Sequence, residues 1–191
     1  KRPELFASCG VPISSCSVTL RDDDNQEVAP GEAGEICVRA PHAMEQYWKR
    51  PEQTAETFKG GWLHTGDIAR ADERGYLYIV DRKKDMIVSG GFNIFPREVE
   101  DVLSSHPDVA MAAVIGVPHE KWGEAVTALV VAKAGTRPEP EALMQLVKDR
   151  KGGTHAPKQV EFVESLPLTA VGKVDKKVLR ARYWPASGRG V

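Results

Sequence analysis

The sequence has only three cysteines, almost no net charge and no apolar run of membrane-spanning length. Cys9, Cys16 and Cys37 lack a paired metal-ligand spacing and are too few for a disulfide scaffold, which favours a reducing compartment. The longest apolar runs, residues 109–117 and 125–132, are about half of what a bilayer requires. A net charge of -1 gives no sign of a nucleic-acid partner. We therefore expect a soluble, cytoplasmic protein without a transmembrane segment.

Familiar catalytic motifs are also missing. Gly172 and Lys173 do not form a nucleotide phosphate loop, because Val174 stands where that loop requires Ser or Thr. His119 and Glu120 lack the second histidine of a zinc-protease helix. We expect neither a metal site nor a hydrolytic triad.

The composition is that of a globular protein that buries a core. Apolar residues make up 41% and charged residues 28% of 191 residues, enough for one large domain or two small ones. The chain opens on Lys1 without an initiator methionine, which suggests part of a longer protein. The first half is predicted to be mainly β, with a short helix from Pro51 to Phe58; the predicted extended segments are residues 16–21, 35–40, 62–64, 67–71 and 76–80.

A run of five charged residues, 81–85, separates the two halves of the chain. A packed strand rarely tolerates five consecutive charges, so we interpret the run as an exposed joint between two structural units. Gly90 and Gly91 follow shortly after it and would allow the backbone to approach another group closely. A tight turn is the simpler explanation of these two glycines when they are considered alone.

The second half predicts an α+β domain of about a hundred residues. Helices are expected to cover one face of a small sheet, and the residues after Pro185 are expected to be disordered. The predicted helices start at Pro96, run through Leu143 to Val147 and span 175–183, and the predicted strands are 109–117, 126–132 and 160–163.

Four ordered motifs resemble the adenylate-forming enzymes, and within them most closely the acyl-CoA synthetases. The motifs are Gly34-Glu35-Ile36 with the residues that follow it, and segments 61–67, 81–85 and 167–173. The resemblance implies a large amino-terminal domain followed by a small mobile domain with a three-stranded sheet, helices and a β-hairpin. This chain would then hold the β-rich end of the large domain (residues 1–81), a hinge (82–85), the mobile domain (86–184) and a tail (185–191).

The resemblance also implies roles for four residues. Asp67 would accept hydrogen bonds from the ribose hydroxyls of AMP, and Arg82 would be the second nucleotide contact. Lys173 would be catalytic, offsetting negative charge on the reacting carboxylate and the α-phosphate. Lys84 would be the hinge about which the small domain turns. The alternatives are an Asp67 that only caps its own turn, and charged side chains that are simply solvated.

Three further residues are assigned to CoA by the same resemblance. Gly90 and Gly91 would line the tunnel that admits pantetheine, and Trp122 would stack on the adenine of CoA. Packing of Trp122 on its own domain is an equally good interpretation. Residues 154–156 depart from the aromatic and basic pattern of some CoA ligases, which leaves the route to the CoA phosphate open.

The function implied is ATP-dependent activation of a small-molecule carboxylic acid, followed by transfer to CoA. ATP/AMP and CoA are the expected ligands, with Mg²⁺ bound through ATP and residues outside this chain. The isolated chain is expected to be inactive because it lacks the phosphate loop of the missing amino-terminal part. Two alternatives stay open: an adenylation enzyme that loads a carrier protein, and a non-catalytic nucleotide- or CoA-binding module. The sequence does not identify the acid.

Overall fold

The computed structural model describes residues 3–184 and divides them into two compact units, with the division between Lys84 and Asp85. The tail expected at residues 185–191 lies outside the described residues. Within residues 3–184, no helix combines the length and apolar character needed to cross a membrane. The α+β class is confirmed, since each unit is built on a sheet with a small number of helices.

The first unit contains an antiparallel sheet in which the four strands neighbour one another in sequence order. The helix predicted from Pro51 is confirmed, with proline in its first turn, where a missing N–H costs nothing. The elements are β1 (Ser17–Arg21), β2 (Gly34–Arg39), α1 (Pro51–Thr57), β3 (Leu63–Ala71) and β4 (Leu77–Arg82), with short 3-10 turns at Pro3–Ala7, Lys59–Gly61 and Lys83–Asp85.

One face of this sheet carries the apolar core of the first unit. Leu20, Ile36 and Ala69 are buried there together. Successive side chains of a strand point to opposite faces, so Glu35 and Cys37 lie on the face opposite Ile36, and both are also buried. The second face therefore holds a buried carboxylate and a buried thiol.

The second unit is organised around β8 (Gly123–Ala132), the strand with the most partners. The other elements of this unit are β5 (Ile87–Ser89), β6 (Phe92–Ile94), α2 (Pro96–Ser104), β7 (Val109–His119), α3 (Pro140–Lys151), β9 (Gln159–Phe162) and α4 (Lys176–Arg180). Strand β7 pairs antiparallel with β8 along its whole length, β9 pairs parallel with residues 127–130 of β8, and Ser89 of the β5–β6 hairpin pairs with Gly123.

Both faces of the second sheet are covered, which corrects the prediction that helices cover one face. Val99 of α2 and Leu143 of α3 pack with Val114 and other buried residues on one side. Leu179 of α4 and Leu166 pack with Ala113, Ile115 and Leu129 on the other. The physical reason is that β7 is apolar at consecutive positions, so both of its faces must be buried.

Three boundaries differ from the predictions because pairing across strands overrides local composition. Strand β3 is continuous where two short pieces were expected, and β4 continues into the charged run as far as Arg82. The strands predicted at residues 109–117 and 126–132 are longer than expected and are joined by only a short turn, because β7 and β8 extend until His119 pairs with Gly123. Trp122 therefore lies at the tip of a tight hairpin.

Candidate functional site

Asp67 lies in a bulge of β3. Strand β2 advances from Glu35 to Cys37 while the paired residues of β3 go from Ile68 to His64, so the Thr65, Gly66 and Asp67 segment is bulged. Gly66 has a φ of 76°, a conformation that favours glycine. The Thr65 hydroxyl donates to the Ile36 carbonyl at 2.9 Å and so provides a hydrogen bond where the β2–β3 ladder is interrupted. Bulges commonly redirect a side chain next to a functional site.

The fold brings Asp67 and Arg82 together. They are direct cross-strand partners in the β3–β4 pairing, and Arg82 Nε lies 2.6 Å from Asp67 Oδ1. Arg82 is 57% exposed and Asp67 28% exposed, so solvent screens the pair and its stabilising contribution is small, about 0.2–1 kcal/mol. Rearranging this pair to bind a ligand therefore requires little free energy. The remaining guanidinium N–H groups can donate to phosphate or hydroxyl oxygens.

Behind this pair lies a network that the sequence did not predict, formed by Glu35, His64, Gly66 and Lys83. Glu35 Oε1 accepts from the Gly66 N–H at 2.9 Å, and Oε2 lies 2.9 Å from His64 Nδ1 and 3.0 Å from Lys83 Nζ. Burial alone raises the pKa of the Glu35 carboxyl, but hydrogen bonds from His64, Lys83 and Gly66 hold that pKa below its usual range. Glu35 therefore stays ionised at neutral pH.

The charge on Lys83 is stabilised by two carboxylates. Burial lowers the pKa of Lys83, but its contacts with Asp23 at 2.7 Å and with Glu35 outweigh that cost and raise the pKa above its usual value. Lys83 lies between Arg82 and the predicted hinge residue Lys84 in the chain. The side chain thus ties the last residues of the first unit to β2.

Glu35, Cys37 and His64 also bring three potential metal ligands within 4.8 Å of one another. The sequence showed no such spacing, because the ligands come from two strands that pair only in the fold. The Lys83 ammonium already contacts the oxygen of Glu35 that faces His64. Burial and the charge of Glu35 raise the pKa of Cys37 to about 11, so its thiol stays protonated and is a poor metal ligand at neutral pH.

The structure also brings Gly90, Gly91 and Trp122 together in the second unit. The two glycines form the turn between β5 and β6, with φ of 58° and 83°. The Gly90 N–H donates to the Trp122 carbonyl at 2.9 Å, and a Cβ added at Gly90 would lie 3.0 Å from the indole ring. At Gly91, no atom of the described residues lies within 4 Å of the corresponding position, apart from its chain neighbours. Gly90 thus allows the tryptophan to approach closely, whereas Gly91 is open.

Trp122 is half-buried and has cations beside its ring. The ammonium groups of Lys121 and Lys158 lie 4.8 and 5.5 Å from the ring centroid, within cation–π range. The contact with Gly90 supports the interpretation that Trp122 packs on its own domain. The exposed part of the ring still leaves an aromatic surface next to positive charge, which suits a nucleotide base with phosphates.

Lys173 lies on a tight hairpin that precedes α4. Thr169 and Lys173 bond through their backbones at 2.7 Å, and an isolated bridge joins Leu168 to Val174. The Lys173 side chain is exposed, and no residue of the described range 3–184 pairs with its ammonium. The hairpin therefore presents a free cation, as the assigned role requires.

Helix α4 anchors this hairpin to the second unit. The Asp175 carboxylate caps the helix by accepting from the N–H groups of Lys177 and Val178, and its own N–H donates to the Pro167 carbonyl. At the other end of α4, Arg180 Nη1 lies 2.7 Å from Asp85 Oδ1, and both side chains are nearly buried. The first residue of the second unit is thus ion-paired to the helix that follows Lys173.

Two family models match the chain, together covering more than half of it. The model described as "AMP-binding enzyme" matches residues 1–48, and that described as "AMP-binding enzyme C-terminal domain" matches residues 98–173.

Known proteins resemble nearly the whole chain. The medium/long-chain-fatty-acid–CoA ligase FadD8 of Mycobacterium tuberculosis is 56% identical over 193 residues, covering 97% of this chain and 34% of that protein. A long-chain-fatty-acid–CoA ligase of Salmonella typhimurium is 51% identical, covering 91% and 31%. The crystal structure of ATP-bound MatB from Rhodopseudomonas palustris matches with a TM-score of 0.85 at 37% identity, covering 93% and 36%.

The chain spans about a third of the length of the curated relatives that it matches. The two family models, the relatives and the solved structure agree on one assignment: this chain belongs to the AMP-binding, adenylate-forming enzyme family.

Proposed function

We propose that the chain is the carboxy-terminal part of an ATP-dependent acyl-CoA ligase. In the first step, a carboxylate oxygen attacks the α-phosphorus of ATP, which forms an acyl-adenylate and releases pyrophosphate. In the second, the CoA thiol attacks the acyl carbon, the thiol proton is lost, and AMP leaves. The observation that carries the proposal is the exposed Asp67–Arg82 pair in the β3 bulge of a chain closely similar to fatty-acid–CoA ligases.

Asp67 and Arg82 bind the nucleotide in this proposal. The second carboxylate oxygen of Asp67 has no hydrogen bond from the described residues, so it is available to the ribose hydroxyls. Arg82 Nε orients the Asp67 carboxylate, while its outer N–H groups reach ribose or phosphate oxygens. Both residues are needed in both steps, because AMP remains part of the acyl-adenylate.

Lys173 acts in the first step. Its ammonium offsets the negative charge that grows on the phosphate oxygens as the carboxylate attacks, and its exposed position on the hairpin leaves it free to approach the nucleotide.

Gly90, Gly91 and Trp122 act in the second step. The open space at Gly91 suits the passage of the narrow pantetheine arm, and the half-exposed indole of Trp122 suits the adenine of CoA. The second unit would turn about Lys84 between the steps, since a charge arrangement suited to attack on phosphorus does not admit a long thiol.

The ligands are ATP, converted to AMP, together with CoA and a carboxylic acid. The names of the relatives favour a medium- or long-chain fatty acid. Mg²⁺ would be held by the phosphates of ATP and by residues outside this chain. The remaining, amino-terminal part of the same protein would supply the acyl pocket, so we assign the complete reaction only to the full-length protein.

The test is ATP-dependent acyl-CoA formation by the full-length protein across a panel of fatty and aromatic acids. We expect pyrophosphate release with at least one fatty acid and thioester formation on free CoA. Arg82→Lys should raise KM for ATP, because lysine cannot form bidentate contacts. Arg74→Lys, in the Asp72–Arg74 pair of the turn at the other end of the β3–β4 hairpin, should not. Thioester formation on a carrier protein but not on CoA, or equal effects of the two substitutions, would contradict the proposal.

A further inference from the structure

The carboxylate of Glu35 contacts groups on both sides of the proposed nucleotide site. Through Gly66 and His64 it contacts the residues that flank Asp67 closely in β3. Through Lys83 it contacts the residue that follows Arg82. Asp67 and Arg82 belong to different strands, and Glu35 of β2 bonds to a close neighbour of each.

A packing role does not explain this side chain. Glu35 is 4% exposed, and removing a carboxylate from water is costly unless charged and polar partners compensate. An apolar residue at the same position of β2 would pack in the sheet without the desolvation cost of a buried carboxylate. The carboxylate instead accepts a backbone N–H from the bulge, a ring nitrogen and an ammonium, and each of these partners belongs to a segment that carries a nucleotide-binding residue.

The two carboxylate oxygens of Glu35 bond to different partners. Oε1 holds the bulge through Gly66 at 2.9 Å, and Asp67, the next residue of that bulge, pairs with Arg82. Oε2 fixes Lys83 at 3.0 Å, and Asp23 holds the same ammonium from another side at 2.7 Å. The same carboxylate thereby holds the segment that carries Asp67 and the segment that carries Arg82.

We propose that Glu35 is a positioning residue that holds the β3 bulge and Lys83 in register, so that Asp67 and Arg82 meet the nucleotide together. The inference rests on the proposed function of that pair. It assigns Glu35 and Lys83 no contact with substrate. Loss of either partner loosens the placement of the pair and weakens nucleotide binding, while the acyl and thiol sites are unaffected.

The first experiment compares Glu35→Gln with Glu32→Gln in the full-length enzyme. Glutamine has nearly the same shape and keeps an oxygen for Gly66, but it loses the charge that holds Lys83. We expect KM for ATP to rise about tenfold or more, since small misplacements of binding groups cost large factors, with KM for the carboxylic acid unchanged. Glu32 is exposed in the turn before β2, so its substitution should leave both constants unchanged.

The second experiment is a double-substitution cycle with Lys83→Met. If Glu35 and Lys83 act as one unit, each single substitution raises KM for ATP, and the double variant is no worse than the more severe single one. Lys83→Arg should restore much of the affinity for ATP, because a longer cation can still reach the carboxylate. The double variant removes the buried Glu35 charge together with its partly buried Lys83 partner, so it provides a folded protein if Glu35→Gln alone unfolds.

Three results would overturn the inference. The first is an unchanged KM for ATP in Glu35→Gln, with the wild type active and the variant folded by circular dichroism. The second is a parallel rise of KM for ATP and for the acid, which indicates general loosening. The third is multiplication of the two single effects in the double variant. A wild-type enzyme without adenylation activity would instead refute the proposed function itself.

Discussion

Replacing Gly90 by alanine tests the contact that fixes the proposed CoA-binding turn. The alanine Cβ would lie 3.0 and 3.3 Å from two carbons of the Trp122 ring, closer than comfortable packing allows. The Trp122 main chain cannot withdraw freely, because its carbonyl accepts the Gly90 N–H at 2.9 Å. Gly91→Ala is a matched control, since Gly91 also has a positive φ but its added Cβ would meet no atom of residues 3–184 within 4 Å beyond its chain neighbours.

The two substitutions should differ by the cost of the steric overlap. A non-glycine residue in the left-handed region costs about 1–2 kcal/mol, and both variants incur that cost. Overpacking adds about 1–3 kcal/mol, and only Gly90→Ala incurs it. We therefore expect Gly91→Ala to lower the free energy of unfolding by about 1–2 kcal/mol and Gly90→Ala by about 2–5 kcal/mol.

Urea unfolding of the 191-residue chain, monitored by hydrogen exchange of amides in the second unit, measures this difference in free energy of unfolding. It does not assume that both units unfold together. Repeating Gly90→Ala in a Trp122→Ala background should leave only the backbone cost, because the ring that meets the new Cβ is gone. Equal destabilisation by Gly90→Ala and Gly91→Ala would refute the close approach of Trp122. So would an unchanged cost in the Trp122→Ala background.

Three other predictions concern buried charges and thiols. Asp85→Asn should destabilise the second unit by about 3–5 kcal/mol by leaving Arg180 nearly buried without its partner, as measured by urea unfolding; a loss below about 1 kcal/mol would contradict the pair's importance. The folded-state pKa of Glu35 is lowered, so its stabilising contribution is present above the unfolded pKa of about 4.3 and is lost as the pH falls below that value. Glu35→Gln should therefore make the free energy of unfolding fall less steeply between about pH 5 and pH 3 than in the wild type. An unchanged slope would refute this. Maleimide at pH 8 should label exposed Cys9 rapidly and spare buried Cys37, whose pKa is about 11, and equal rates by mass spectrometry would contradict the burial.

Local patterns were sufficient to predict most helices and strands. Helix α2 starts at Pro96 as predicted, and α3 carries the predicted apolar stripe at Leu143 and Val147, although its start at Pro140 was not predicted. The long apolar segments became β7 and β8. Such features depend on residues within a turn or two of one another, so the sequence alone reveals them.

Pairing between strands was not predictable in the same way. The charged run was interpreted as an exposed joint, yet Asp81 is buried in β4 and Arg82 finds a partner in Asp67 across the sheet. Charges enter a strand when another strand supplies their partners, and composition does not show which strand that is. The bulge that unites two predicted extended pieces into β3 has the same origin.

The candidate site shows both cases. Asp67, Arg82 and Lys173 were identified through a family resemblance, but the direct pairing of Asp67 with Arg82 required the register of β3 and β4. Glu35 was missed as a site residue because its partners lie 29, 31 and 48 positions away. The available signal was a glutamate at a strand position where alternation places it on a buried face, opposite Ile36.

Lys173→Ala in the full-length enzyme shows most directly whether the second unit contributes different groups to the two steps. Adenylation should fall by about 10²–10³-fold, the usual effect of removing one charge-stabilising group, while stability changes by less than about 0.5 kcal/mol because the side chain is exposed. Thioester formation from supplied acyl-adenylate should stay within about twofold of the wild type, and Lys177→Ala, which removes another exposed lysine nearby, should affect neither step. An equal loss of both half-reactions in Lys173→Ala, measured by single-turnover kinetics, would contradict the claim.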